Sequence, residues 1–121
     1  MQWASSVVVG LVALLHAWFL VLEMFLWTKP LGLKTFGQTL QKAQDSAVLA
    51  SNQGLYNGFL VAGLVWGLVC TDPHMAFQLR VFFLGCVIVA GAYGAYSVNV
   101  RILFVQAAPA AIGLALLVAS R

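Results

Sequence analysis

Four apolar runs, residues 3–27, 48–70, 80–98 and 102–119, take up most of this chain. Each is close to the ~20 residues that an α-helix needs to cross a bilayer. Hydrocarbon offers no water to the backbone, so a crossing segment must satisfy its own N–H and C=O groups, as a helix does. Composition removes the soluble alternative. Only 7% of the residues are charged and 63% are hydrophobic, whereas a soluble domain carries about 25% charge. The surplus apolar surface has to face lipid. The second and third connections are short, which makes successive helices antiparallel neighbours. The expected fold is all-α: four transmembrane helices in an up-down bundle, forming one integral membrane domain over residues 1–121.

The connections carry the punctuation. Residues 28–46 form the sizeable polar segment, with Lys29, Lys34, Lys42 and Asp45, and with Pro30, Gly32 and Gly37 as breakers. Leu40, Ala43, Ala47 and Ala50 recur at helical spacing, so the second helix is expected to begin ahead of its apolar run. Asp72 followed by Pro73 reads as an N-cap and a first helical residue. Pro109 is expected to kink the fourth helix and free a carbonyl one turn earlier. Gly54/Gly58, Gly63/Gly67, Ala90/Gly94 and Gly91/Ala95 have the small-xxx-small spacing that lets helices approach closely. Close contact within the chain is one use of these residues, and contact with another subunit is a second. A bundle this small has little interior, which favours homo-oligomerisation.

Orientation follows the basic residues. Lys29, Lys34, Lys42 and Arg101 lie in the first and third connections, against Arg80 and Arg121 on the other side. The bias toward positive charge in the cytoplasm puts connections 1 and 3 inside and both termini outside, in a multi-pass cell (inner) membrane protein. Trp3, Trp27 and Trp66 fall near run ends, where indoles prefer the interface. The first run lacks a basic leader and is long, so it reads as an uncleaved span. Basic residues are scattered, so no nucleic-acid partner is implied. Cys70 and Cys86 have no metal-ligand spacing and read as packing residues. Metal ligation is not expected.

Two ionisable residues, His16 and Glu23, interrupt the first run. An acid at helix depth in lipid costs about 2.5–3.5 kcal/mol on insertion scales, so it usually faces a protein interior or a wet cavity. His16 and Glu23 are seven residues apart and share a helix face, about 10 Å apart along the axis. Antiparallel geometry places further polar residues at the depth of Glu23: Asn52, Gln53, Tyr56 and Asn57 in the second helix, Tyr96 and Asn99 ending the third, and Arg101 and Gln106 opening the fourth. They describe a polar funnel open to the cytoplasm and narrowing toward His16, with the other half of the bilayer almost entirely apolar. The candidate ligand-binding set is His16, Glu23, Asn52, Gln53, Tyr56, Asn57, Tyr96, Asn99 and Arg101. Each member has a structural alternative. Glu23 can be an ion-pair partner of Arg101 or Lys29, His16 a packed core histidine, and the Asn/Gln face interhelical glue. Arg80 reads as a snorkelling interface anchor. No nucleophile–base set, phosphate loop or haem motif is present. Catalysis is left open, with Glu23 the candidate proton acceptor.

The run from His16-Ala17-Trp18-Phe19 through Glu23-Met24-Phe25-Leu26-Trp27, followed by Asn52-Gln53-Gly54-Leu55-Tyr56-Asn57-Gly58, resembles the domain-of-unknown-function family 1304 of small, mainly bacterial, integral membrane proteins. The resemblance covers nearly the whole chain and implies no particular activity. The layout is also similar to the membrane-associated proteins in eicosanoid and glutathione metabolism. It shares their long first connection, the polar start of helix 2, and an arginine, Arg101, ahead of a proline-bearing helix 4. That resemblance implies a homotrimer with sites between subunits and glutathione as ligand. The chain departs from it where an acid should follow Asn52, since Leu55 stands there, and where a basic residue is common, since Glu23 stands there. A carboxylate at that point suits a neutral or cationic ligand. No cofactor is evident from the residues themselves.

Three functions remain open on the sequence. The leading one is binding of a small or amphipathic molecule at a cytoplasmic-side intramembrane site around Glu23. The second is proton-coupled transport of a small solute using Glu23, which inverted repeats would favour. The third is a structural or assembly subunit without its own ligand, which a stoichiometric partner would favour.

Overall fold

A computed structural model describes residues 2–97 and 100–121, and every regular element among them is helical. Helix α1 spans Gln2–Met24, α2 Pro30–Phe36, α3 Leu40–Val69, α4 Pro73–Ser97 and α5 Ala108–Ala119, with a π-helical segment, Leu103–Ala107, leading into α5. Two of these helices, α1 and α4, are long and apolar enough to cross a membrane. The first half of α3 is polar, and the apolar stretch Leu103–Ala119 is shorter.

Helix starts obey local chemistry. Leu40 opens α3 because Thr39 caps it: the Thr39 hydroxyl accepts from the Lys42 N–H at 3.2 Å and its carbonyl from the Ala43 N–H at 3.0 Å. The expected early start of this helix is therefore present. Pro73 opens α4, and Asp72 accepts the His74 N–H through Oδ1 at 3.3 Å. The first connection differs from the sequence expectation. Pro30, Gly32 and Gly37, read as breakers, build the short helix α2 instead. Pro30 occupies its first turn, where no N–H is needed. Gly32 is buried against the Leu26 carbonyl, where a Cβ has no room. Gly37 ends the helix with φ 62° and returns its N–H to the Lys34 carbonyl.

The chain forms two compact units. The first comprises Met1–Leu14 with Ala62–Arg121. Its core is apolar apart from Ser5: Val9 and Val12 of α1, Leu64 of α3, Leu84 and Val87 of α4, and Ala110 and Leu117 of α5 are buried. Glycine sets the helix spacing. A Cβ on Gly91 of α4 would lie 2.7 Å from the backbone nitrogen of Ala107, and one on Gly94 would lie 2.9 Å from Ile102. Gly67 of α3 meets Arg80 of α4 in the same way, at 2.9 Å. These contacts run α3 and α4 antiparallel, and α4 antiparallel to the segment before α5. The π turn falls just ahead of Pro109. There the Ala108 N–H reaches back five residues to the Leu103 carbonyl, a wider turn that accommodates the proline ring.

The second unit is Leu15–Val61. Its buried residues are Leu22, Ala43 and Ala50 beside the polar His16, Glu23 and Asn57. Here α1 and α3 are antiparallel. Leu20 meets Gly58, Met24 meets Gly54, and Trp27, just past α1, donates from Nε1 to Ser46 Oγ at 3.1 Å. Trp27 also packs on Phe36 of α2, with ring centroids 4.9 Å apart. Among the small-residue pairs, Gly54, Gly58, Gly63, Gly67, Gly91 and Gly94 all serve contacts within the chain.

Candidate functional site

Helix α1 buries one stripe: Ser5, Val9, Val12, His16 and Glu23. The steps of four, three, four and seven are those of a helix face. Helix α3 buries Ala43, Ala50, Gly54, Asn57 and Leu64, with Ala47 and Val61 half-buried between them. That is an alternating three–four repeat made mostly of small side chains. Asn57 is the polar member of the stripe. A polar side chain in such a seam is costly unless it finds a partner on the facing helix.

Asn57 finds Glu23. Its Nδ2 donates to Glu23 Oε1 at 2.5 Å, and the residues are only 8% and 6% exposed. Gly54 makes this contact possible. A Cβ there would stand 3.2 Å from Glu23 Cβ and 2.5 Å from Met24 Cγ. With a glycine one turn before Asn57, the α1 backbone comes close enough for the short asparagine side chain to reach the carboxylate. A hydrogen bond to a charged group contributes about 1.5–3 kcal/mol. Chemically, the pair presents acceptors. The Asn57 amide gives one of its two N–H groups to one carboxylate oxygen, and neither the other oxygen nor Asn57 Oδ1 is sealed without a partner. A ligand that donates hydrogen bonds fits such a pair.

The other sequence candidates are placed as follows. His16 is fully buried, seven residues before Glu23 on the α1 stripe, with its ring edge-on to Phe19 at 5.3 Å. Asn52, Gln53 and Tyr56 lie on the exposed face of α3, and Tyr56 stacks edge-on with Phe59 at 5.6 Å. Lys29 is exposed at the start of α2. In the other unit, Tyr96 is 89% exposed and Arg101 is exposed. Asn99 lies outside the described residues. The structure thus joins Glu23 to Asn57 and turns Asn52, Gln53 and Tyr56 away from that bond. Among the described residues, no three His, Cys, Asp or Glu side chains gather as metal ligands would.

The family comparison covers most of the chain. Residues 10–118 match the family described as protein of unknown function (DUF1304). The chain belongs to that family. No curated protein and no solved structure matches it. The matched span contains both Glu23 and Asn57.

Sequence reasoning passed over a second polar region, within the Met1–Leu14 and Ala62–Arg121 unit. Arg80 is not a free interface anchor. Its Nε donates to the Gly67 carbonyl at 2.9 Å and an Nη to Ser6 Oγ at 2.9 Å. It borders a cavity of about 490 Å³ that also takes in Arg121, His74 and Thr71. Two arginines thus border one cavity in this unit. Its residues come from three separate stretches of sequence. Only Ser5-Ser6 and Thr71-Asp72-Pro73-His74, two polar strings at helix starts, hinted at it.

Proposed function

We propose that this chain is a four-span inner-membrane protein that binds a small amphipathic molecule bearing a hydrogen-bond donor or a positive charge at Glu23 and Asn57. The observation that carries this reading is the buried Glu23–Asn57 bond, which leaves acceptor oxygens for a donor ligand. Four spans are supported by the antiparallel contacts of α1 with α3 and of α3 with α4, and by the apolar length of α1 and α4. A homotrimer with connections 1 and 3 in the cytoplasm completes the proposal. Its support is the number of large apolar side chains left exposed by one copy, Trp18, Phe59, Phe82, Val89 and Phe104 among them.

The test is equilibrium binding of a fluorescent long-chain primary amine to the protein in lipid nanodiscs. Wild type binds, and Glu23→Gln binds at least about tenfold more weakly, the loss expected for one charge-assisted hydrogen bond. Equal binding by wild type and Glu23→Gln defeats the proposal. The same bond also fits a purely structural tie between α1 and α3. Under that reading the amine fails to bind either protein, and the role of the pair shows in stability alone.

A further inference from the structure

We propose that the cavity beside Arg80 and Arg121 is a second binding site, for an anionic phosphate group. Two guanidinium groups border the cavity and, among the described residues, no Asp or Glu side chain does, since Asp72, the acid closest in sequence, is outside its lining. The elements around it end or begin there: α1 starts at Gln2, α3 ends at Val69, α4 starts at Pro73 and α5 ends at Ala119. Two helix starts and two helix ends offset each other's dipoles. The side-chain charges then decide the sign, and it is positive.

Donor capacity points the same way. A guanidinium has five N–H groups in a planar fork. Arg80 commits Nε to the Gly67 carbonyl and an Nη to Ser6, which holds the group rigidly and leaves further N–H bonds to give. Arg121 is held by a different device: its guanidinium carbon lies 4.3 Å above the centre of the Phe77 ring. That contact fixes the cation without using its N–H groups. Ser6 accepts from Arg80 and so keeps its own O–H to donate. Ser5 and Ser120 donate to the carbonyls of Gln2 and Leu117 and are already committed. Two arginines, the Ser6 hydroxyl and the Thr71 hydroxyl therefore remain as donors around one space. This is the complement of a tetrahedral oxyanion, which accepts several bonds at once and pairs with arginine in bidentate fashion. The volume, about 490 Å³, exceeds what a bare anion needs and suits a phosphate that carries an organic group.

Such a phosphate comes from one of two sources, a phospholipid headgroup or a soluble phosphate ester, and the experiment separates them. In the lipid arm, the protein is extracted from mixed phosphatidylglycerol and phosphatidylcholine bilayers, and retained lipid is read by native mass spectrometry. In the soluble arm, glycerol 3-phosphate is titrated calorimetrically onto the protein in phosphatidylcholine nanodiscs. Arg121→Gln, Arg80→Gln and Ser6→Ala are compared with Lys34→Gln, a charge change on α2 outside the cavity. Arg121→Gln touches only the Phe77 contact, so it reports even if Arg80→Gln fails to fold. In the arm that contains the true source, Arg121→Gln is expected to weaken binding by about tenfold and Lys34→Gln by less than about twofold. Dependence on Arg121 in the first arm assigns a lipid headgroup, and in the second a soluble phosphate ester. If neither probe binds, or if Lys34→Gln costs as much as Arg121→Gln, the site is refuted.

Discussion

The two units of this protein handle charge in opposite ways. In Leu15–Val61 an acid is buried and answered by one neutral amide, Asn57, among small side chains. In Met1–Leu14 with Ala62–Arg121 the buried core is apolar apart from Ser5, and two of the cations border a cavity at helix ends, where Arg80 leans on a carbonyl and a hydroxyl and Arg121 on a ring. The difference follows from solvation. A guanidinium on a long stem keeps its hydration while its methylenes pack. A glutamate pointing into a helix seam does not, and it persists only beside a donor. Both units close on glycine contacts, but one carries a buried polar pair in its seam and the other a mainly apolar core.

The largest effect that tests this contrast is loss of the Asn57 amide. Asn57→Leu strands Glu23 and is expected to cost about 3 kcal/mol in reversible unfolding in mixed micelles. Adding Glu23→Leu should restore most of it, because an apolar pair needs no partner. If the double variant is as unstable as the single one, the hydrogen bond is not what Asn57 contributes. In the apolar-cored unit the comparable change is Gly91→Val, expected to lose about 2 kcal/mol by forcing α4 off Ala107. Gly85→Ala, on the same helix with nothing within 4 Å, should be neutral or slightly stabilising and serves as its reference. Next comes Gly37→Ala. At φ 62° a Cβ is strained, so the end of α2 should loosen by about 1 kcal/mol, visible as faster amide exchange over Pro30–Phe36. The smallest effect belongs to Glu23→Gln. Its amide oxygen still accepts from Asn57, so unfolding should shift by less than about 1 kcal/mol. That near-neutrality is what makes it a clean probe of ligand binding in the same unit.

Much of the helical layout was legible from the residues. Asp72-Pro73 marks the start of α4, the Leu40–Ala50 spacing the early start of α3, and the glycine pairs the close contacts. Each depends on interactions a few residues apart or on helix periodicity, and sequence displays those directly. Helix α2 was less visible. Pro30 and Gly37 signal a turn and a helix boundary with equal force, and burial of Gly32 under the Leu26 carbonyl selects the helix. Within the candidate set, Glu23 stood out by its cost in lipid. Which amide answers it did not, because Asn52, Gln53 and Asn57 are chemically alike and all within one and a half turns.

Composition and period alone establish that the chain is helical and too apolar for a water-facing surface, and that it carries an acid, Glu23, on the same face of its first helix as His16. Those properties belong to single helices and to averages over them. The choice of Asn57 as partner, and the gathering of Arg80, Arg121 and Ser6 around one cavity, rest on how helices distant in sequence come together. A residue's period gives its face on its own helix, but the register and spacing between helices arise only when small side chains such as Gly54 and Gly67 let two backbones close to contact.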